Sequence, residues 1–353
     1  MENIIDSGET HQMSFSKFYS ATLLLSLSVL ALLPCTRATA AKNGSSSREP
    51  GAIVQECWPE KDLMGSPADM RIVAMPSAPS STCPARLQPT VIGPALPSRM
   101  RNSIRSVKVS GEQKIVALTF DLCEREREIS GYDSQVVNFL RANKIKSTFF
   151  ASGKWMHSHR EKTMQLMSDP LFEIGNHGWS HRNIRVLDRK TAEEEILWTQ
   201  AQYELIWEDL QKLSCSQSAG NESKSAIPRV PRVFRFPFGT CNPESLSFLH
   251  SIGLAAIQWD VVSGDAARGQ VASAIADIVM KQAKSGSIII LHANGRGHGT
   301  AGSLPIFVPK LLKSGFTFVT VSELLASGTP VAVPDCYELR PRDNLRYDKI
   351  FGK

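Results

Sequence analysis

The sequence predicts an α/β protein in which short parallel strands alternate with covering helices and close into a barrel-like sheet. From Lys114 onward, short apolar runs are separated by longer amphipathic stretches, the pattern of strands joined by helical crossovers. About seven such units fall within roughly 220 residues, the scale of a barrel rather than of a small open sheet. Several of the apolar runs end on a chemically useful polar residue, as expected where parallel strand ends share one face. The 353 residues, 42% hydrophobic and 21% charged, fit one large domain with appendages better than several equal domains.

The chain opens on an expected export signal over residues 1–40. Lys17 precedes the apolar run Ala21 to Leu33, and Ala38-Thr39-Ala40 gives the small-x-small pattern cleaved before Ala41. The run is too short for a comfortable membrane span, so a secreted or periplasmic protein without a stable span is expected. Residues 41–110 are rich in Ser, Pro and Gly and read as a linker followed by an extended segment that wraps the main body. Seven cysteines become six once Cys35 leaves with the signal, an even number for an oxidising compartment. Cys57 and Cys83, in the same non-periodic region, are the first pair to join.

The barrel is expected over 111–328. Ile115 to Phe120 is a buried strand ending in Asp121, followed by a helix from Tyr132 to Asn143. Ser147 to Ala151 is the next strand and His157 to Ser168 the next helix. Phe172 to Gly175 is a short strand that delivers His177, and Thr191 to Leu213 is a long helix with acidic residues in its first turns. After a polar insertion (Ser214 to Ala226), Arg232 to Phe236 is a strand and Pro243 to Ile252 a helix. Leu254 to Trp259 and Ser287 to Leu291 are strands flanking a helix from Gly269 to Lys284. Leu304 to Lys313 is helical, Phe316 to Val321 is the last strand, and 329–353 is a C-terminal extension containing Cys336.

The net charge of +6 comes without a Lys/Arg run or an aromatic platform, which argues against nucleic acid as partner. His177-Gly178-Trp179-Ser180-His181 puts two imidazoles around an easy turn, a grip for a divalent transition metal such as Zn, Co, Ni or Fe rather than Mg or Ca. Asp121, Arg235, Asp260 or Asp265, and His292 also fall at or just after strand ends. This set supports metal-assisted hydrolysis. Asp121 would act as base, Arg235 would hold it ionised, His292 would protonate the leaving group, and Asp265 would orient His292. Asp260 reads better as a turn residue than as a catalytic one. His298, in a Gly-rich loop, reads as a substrate-side or solvent residue.

Thr119-Phe120-Asp121, His177 to His181, Arg235-Phe236-Pro237-Phe238-Gly239, Trp259 through Asp265, and Leu291-His292 resemble, in order, the five motifs of the polysaccharide deacetylases, carbohydrate esterase family 4. The resemblance spans about residues 114 to 325. It implies a distorted (β/α) barrel, a divalent metal that is commonly zinc, and hydrolysis of acetyl groups from an acetylated polysaccharide such as peptidoglycan or chitin. By position Asp121 matches the base, Arg235 its partner, His292 the acid, Asp265 its tuner, and His177 and His181 the metal ligands.

One departure stands out. The family usually has a second Asp directly after the base, as third metal ligand, whereas this chain has Leu122. Glu124 is the substitute expected here, with Cys123 and Asp121 as alternatives. Ala266 replaces the Trp expected after Asp265. A saccharide-binding protein that kept the barrel without the reaction, or a hydrolase of small amides, are the other readings.

Overall fold

The computed structural model describes residues 52–76, 83–218 and 224–351. The expected export signal lies outside the described residues. No helix among those described is long and apolar enough to cross a membrane.

The centre of the molecule is a curved, all-parallel sheet. Its order is Ala255–Ala256, Val233–Phe234, Phe172–Asn176, Ser147–Ala151, Lys114–Leu122, Ile288–His292 and Val261–Val262, and Phe316–Phe318 pairs with the start of Lys114–Leu122. These seven strands form a half-barrel, and the whole is a distorted (β/α) barrel. The first strand laid down, Lys114–Leu122, sits inside the sheet, and later strands add to both of its sides. Its register sets Asp121 beside His292 on one neighbour and beside Phe150 on the other.

Alternation along the strands sorts their side chains into two layers. Val116, Leu118, Phe120 and Leu122 pack outward into the large cluster shared with the helices. Ile115 and Ala117 point the other way, into an inner cluster with Ile104, Phe150, Ile257 and Ile290. The inner face is therefore apolar at its base and becomes polar where the strands end. That single change of character positions the site.

Several strands among the described residues were not anticipated, including Val261–Val262 in the parallel sheet and the pair Val73–Ala74 with Glu128–Ile129 outside it, and one further pair bears on the barrel. Ser103–Val109, inside the presumed linker, pairs antiparallel with Gly328–Val333, which straddles the expected end of the barrel. Ser103–Val109 also bridges Ile257 on one side and Ser287 on the other, so it spans the opening that the parallel strands leave. The anticipated run Leu254 to Trp259 is strand only at Ala255–Ala256. Beyond it, Gln258 N–H turns to Ile104 O on the bridging strand.

The helices fall near their expected places, with ends set by caps. Asp133 caps Ser134–Ala142 by accepting from Gln135 and Val136 N–H, and Asp188 caps Arg189–Lys212 by accepting from Thr191 N–H. The single helix expected over His157 to Ser168 is two, Gly153–Ser158 and Arg160–Met167, broken at His159.

The disulfides correct the expected pairing. Cys57 joins Cys215 rather than Cys83, and Cys241 joins Cys336. The reason is packing. Ile53, Val54 and Trp58 are buried apolar residues on and just after the short helix Ala52–Cys57, and burying them docks that helix against Ser214–Ser218, bringing Cys57 to Cys215. Cys83 is exposed and free, and Cys123 is buried and free.

Candidate active site

Asp121 stands at the end of the Lys114–Leu122 strand, 4% exposed. Its Oδ1 accepts from Arg235 Nη1 at 2.8 Å, and its Oδ2 lies 3.6 Å from His177 Nε2. Arg235 is fully buried, also donates to Thr119 Oγ1 at 2.8 Å, and lies over the Phe150 ring. Burial alone would raise the pKa of Asp121. The Arg235 charge, with His177 and His292 nearby, outweighs it and holds the carboxyl below its ordinary value.

The histidine pair is built by a strained turn. Gly178 and His181 both have positive φ, at 71° and 56°, and for His181 that conformation costs about 1–3 kcal/mol. Glu195 pins the turn by accepting from Ser180 N–H at 2.9 Å and Ser180 Oγ–H at 2.7 Å. The two imidazole rings end up 5.0 Å apart.

His177 Nδ1 is 2.8 Å from Arg235 O, and because a carbonyl only accepts, Nδ1 carries the proton and Nε2 holds the lone pair. His181 Nδ1 is buried without a hydrogen-bond partner among the described residues. Burial, only partly opposed by Asp121, lowers the pKa of His177. Burial and the neighbouring His177 lower that of His181 strongly. Both rings are thus neutral donors of the kind metals take.

His292 ends its strand with Nδ1 2.9 Å from Asp265 Oδ1, and its backbone N–H donates to Asp265 Oδ2 at 2.6 Å. Thr300 and Ser263 hydroxyls also donate to that carboxylate and lock it. Burial opposes protonation of His292, but Asp265, by charge and hydrogen bond, and then Asp121 raise its pKa above the ordinary value.

Asp260 takes no part. Its carboxylate accepts from Ile288 N–H and Ser287 Oγ–H at the other end of the Ile288–His292 strand. His298 and Trp259 line the cavity beside the site, and Trp155 and Trp179 are buried in the body.

Glu124, the expected third ligand, is the residue that the structure does not bring to the pair. Its carboxylate accepts from Ser158 Oγ–H at 2.6 Å and Ser130 N–H at 3.1 Å. The carboxylate is turned away because the strand runs on through Leu122, so Cys123, two residues from Asp121, takes the inward position. The donor atoms of Cys123, His177 and His181 lie within 4.8 Å of one another, all three residues buried. Asp121, Cys123 and His292 form a second such set. This sulfur and nitrogen set suits a borderline-soft ion such as zinc better than magnesium or calcium.

Burial raises the pKa of Glu124 from 4.5 to about 7, against its hydrogen bonds from Ser158 and Ser130. A raised carboxyl means that the folded state binds more protons than the unfolded one, so this group's contribution to stability falls as pH rises from 4.5 to about 7. Thermal melts across that window are expected to show a downward slope that Glu124→Gln reduces. An unchanged slope in the variant would remove Glu124 as its source.

Asp121, Cys123, His181, Asp265 and His292 line a cavity of about 640 Å³. One wall went unread in the sequence. Phe238, itself at φ 58°, faces His181 at 4.5 Å between ring centres. Phe351 of the C-terminal helix Arg346–Phe351 stacks on Phe238 at 4.2 Å, with Tyr347 beside it. The extension is held by Cys241–Cys336, by Asn344 Nδ2 donating to Gly239 O, and by Asp348 accepting from Asn183 and Arg185. The four-residue spacing of Tyr347 and Phe351 was the available signal. Arg125 and Arg296 also line the cavity and were missed, and Arg296 is held by a pair of 2.6 Å contacts to Glu128.

Neutral imidazoles beside an arginine-held carboxylate stand at the strand ends of a parallel barrel, an arrangement of the kind that hydrolases build. The family model described as polysaccharide deacetylase matches residues 108–219. A peptidoglycan-N-acetylglucosamine deacetylase of Bacillus cereus is 30% identical over 221 residues, covering 62% of this chain and 91% of that protein. Among solved structures, a peptidoglycan N-acetylglucosamine deacetylase in complex with an N-oxidanyl-benzamide superposes with TM-score 0.51 at 22% identity, over 64% of this chain and 93% of that one. A CE4 family pseudoenzyme superposes with TM-score 0.50 at 20% identity, over 63% of this chain and 70% of that one. The two structural likenesses speak to the fold. The chain belongs to the polysaccharide deacetylase family, carbohydrate esterase family 4, a family of hydrolases.

Proposed function

We propose that the protein is an exported, metal-dependent deacetylase that removes acetyl groups from an acetylated amino-sugar polysaccharide of the peptidoglycan or chitin type. The observation that carries this reading is the pair of tuned groups at one cavity, Asp121 kept ionised by Arg235 and His292 kept protonatable by Asp265. A binding surface has no use for a base and an acid, each with its own orienting partner. The Bacillus cereus relative, named for N-acetylglucosamine, supports the substrate class.

His177 and His181 would hold the ion, through the Nε2 lone pair of the first and the unpartnered ring of the second. When bound, a divalent transition metal, zinc in our reading, supplies Lewis acidity that acidifies water and polarises the acetyl carbonyl. Asp121, with Oδ1 fixed on Arg235, offers Oδ2 to take the proton from the attacking water. His292, its Nδ1 committed to Asp265, offers Nε2 to protonate the departing nitrogen as the C–N bond breaks. The products are acetate and a free amine. The chemistry sits on parallel strands within 111–328, closed by Ser103–Val109 from the 41–110 segment and by its partner strand Gly328–Val333, with residues 1–40 as the removed signal and 329–353 as an extension.

The test is acetate release from acetylated chitin oligomers and from peptidoglycan, before and after stripping and restoring zinc. Release is expected to be abolished by chelation, restored by the ion and absent in His177→Ala. Normal turnover by that variant would overturn the reading. Leu122, buried where the family usually carries a carboxylate, favours a second reading, a saccharide-binding protein without turnover. It predicts glycan binding indifferent to metal and no acetate from any polymer.

A further inference from the structure

We infer that Cys123 replaces the missing carboxylate as the third protein ligand, so that the centre is a thiolate–bis-imidazole site selective for zinc-like ions. The inference rests on the assignment of His177 and His181 as metal ligands and adds what completes their set.

Strand parity comes first. The strand Lys114–Leu122 carries Leu122 outward, fully buried in the cluster that holds Phe120, Tyr132 and Val136. In this chain the side chain at 122 therefore faces away from the cavity. Cys123 has the parity of Thr119 and Asp121 and lines the cavity with Asp121 and His181.

Distance comes second. Cys123 Sγ is 3.5 Å from His177 Nε2, the nitrogen that bears the lone pair. Donors around a tetrahedral zinc, at bond lengths of about 2.0–2.3 Å, stand about 3.3–3.8 Å apart. His181 brings an independent sign, a ring more than nine-tenths buried whose Nδ1 has no partner among the described residues. A buried polar atom left unpaired is costly, and a bound ion satisfies it.

The competing oxygens are less well placed. Asp121 reaches His177, but its other oxygen is committed to Arg235, and it does not form a mutually close set with both histidines among the described residues. Glu124 is spent on Ser158 and Ser130. The disulfides leave Cys123 free, and its 3% exposure shelters it from bulk oxidants. Binding would release the thiol proton to solvent. A soft sulfur donor then tilts selectivity toward zinc and cobalt and away from magnesium, calcium and manganese.

The test uses the full chain reloaded with cobalt or zinc. Cobalt protein is expected to show a near-ultraviolet sulfur-to-cobalt charge-transfer band that Cys123→Ser lacks. Zinc affinity, from competition with a chelator, is expected to drop in that variant by more than the roughly 10–100-fold typical of losing an outer partner. X-ray absorption of the zinc-loaded wild type needs no variant and is expected to show one sulfur at about 2.3 Å. A shell of nitrogen and oxygen alone, or unchanged affinity in Cys123→Ser, would overturn the inference. Acetate release with such a shell would leave the deacetylase standing without it, and a zinc–sulfur bond without acetate release would do the reverse.

Discussion

Asp121→Asn is expected to lower kcat for deacetylation by roughly 10²–10⁴-fold, the usual worth of a positioned general base. The amide oxygen can still accept from Arg235, so the geometry survives while the negative charge is lost. Arg235 is fully buried and has no solvent to fall back on. Leaving it uncompensated is expected to cost about 3–5 kcal/mol of stability, read from urea melts. The sign with pH is also fixed. Because the folded carboxyl sits below its ordinary 3.8, its stabilisation is present above that value and is lost as pH falls through the folded pKa. The stability gap between wild type and variant should therefore be full above pH 3.8 and close as pH falls through the folded pKa. A kcat within a few-fold of wild type would remove Asp121 as the base.

Asp265→Asn is expected to cost a similar 10²–10⁴-fold at neutral pH, for a reason that a pH profile can isolate. His292 sits above its ordinary 6.5 because Asp265 overcomes the burial that would otherwise lower it. An acid must be protonated to act, so activity should fall as pH rises through the folded pKa. Removing the carboxylate lets burial prevail. The alkaline limb of kcat should then move to lower pH, and part of the lost activity should return on acidification. A flat loss at every pH would make Asp265 a structural brace for Thr300 and Ser263 rather than the group that tunes His292.

Much of this site was legible because apolar runs announce their own ends. Ile115 to Phe120, short and rich in β-branched residues, reads as a buried strand with Asp121 at its rim, and the same logic places His292 after Ser287 to Leu291. What failed did so where three-dimensional packing decides. The Glu124 assignment turned on whether the strand stops at Asp121 or runs one residue further, a choice made by the apolar pocket that receives Leu122. Cys57 found Cys215 through the docking of a short amphipathic helix whose partner lies 158 residues on. The strand Ser103–Val109 hid in a segment read as linker, because its partner strand Gly328–Val333 comes only after the barrel is complete.

The aromatic wall formed by Phe238, Tyr347 and Phe351 bears on where the functional unit ends. A fragment trimmed at residue 328, where the barrel motif stops, would keep every group assigned to the chemistry. It would lose the side of the cavity nearest His181, along with the partner of Cys241. The tail is thus a wall of the chamber supplied from outside the barrel motif. Altering it offers a way to reshape the entrance to the cavity while leaving Asp121, His177, His181 and His292 in place.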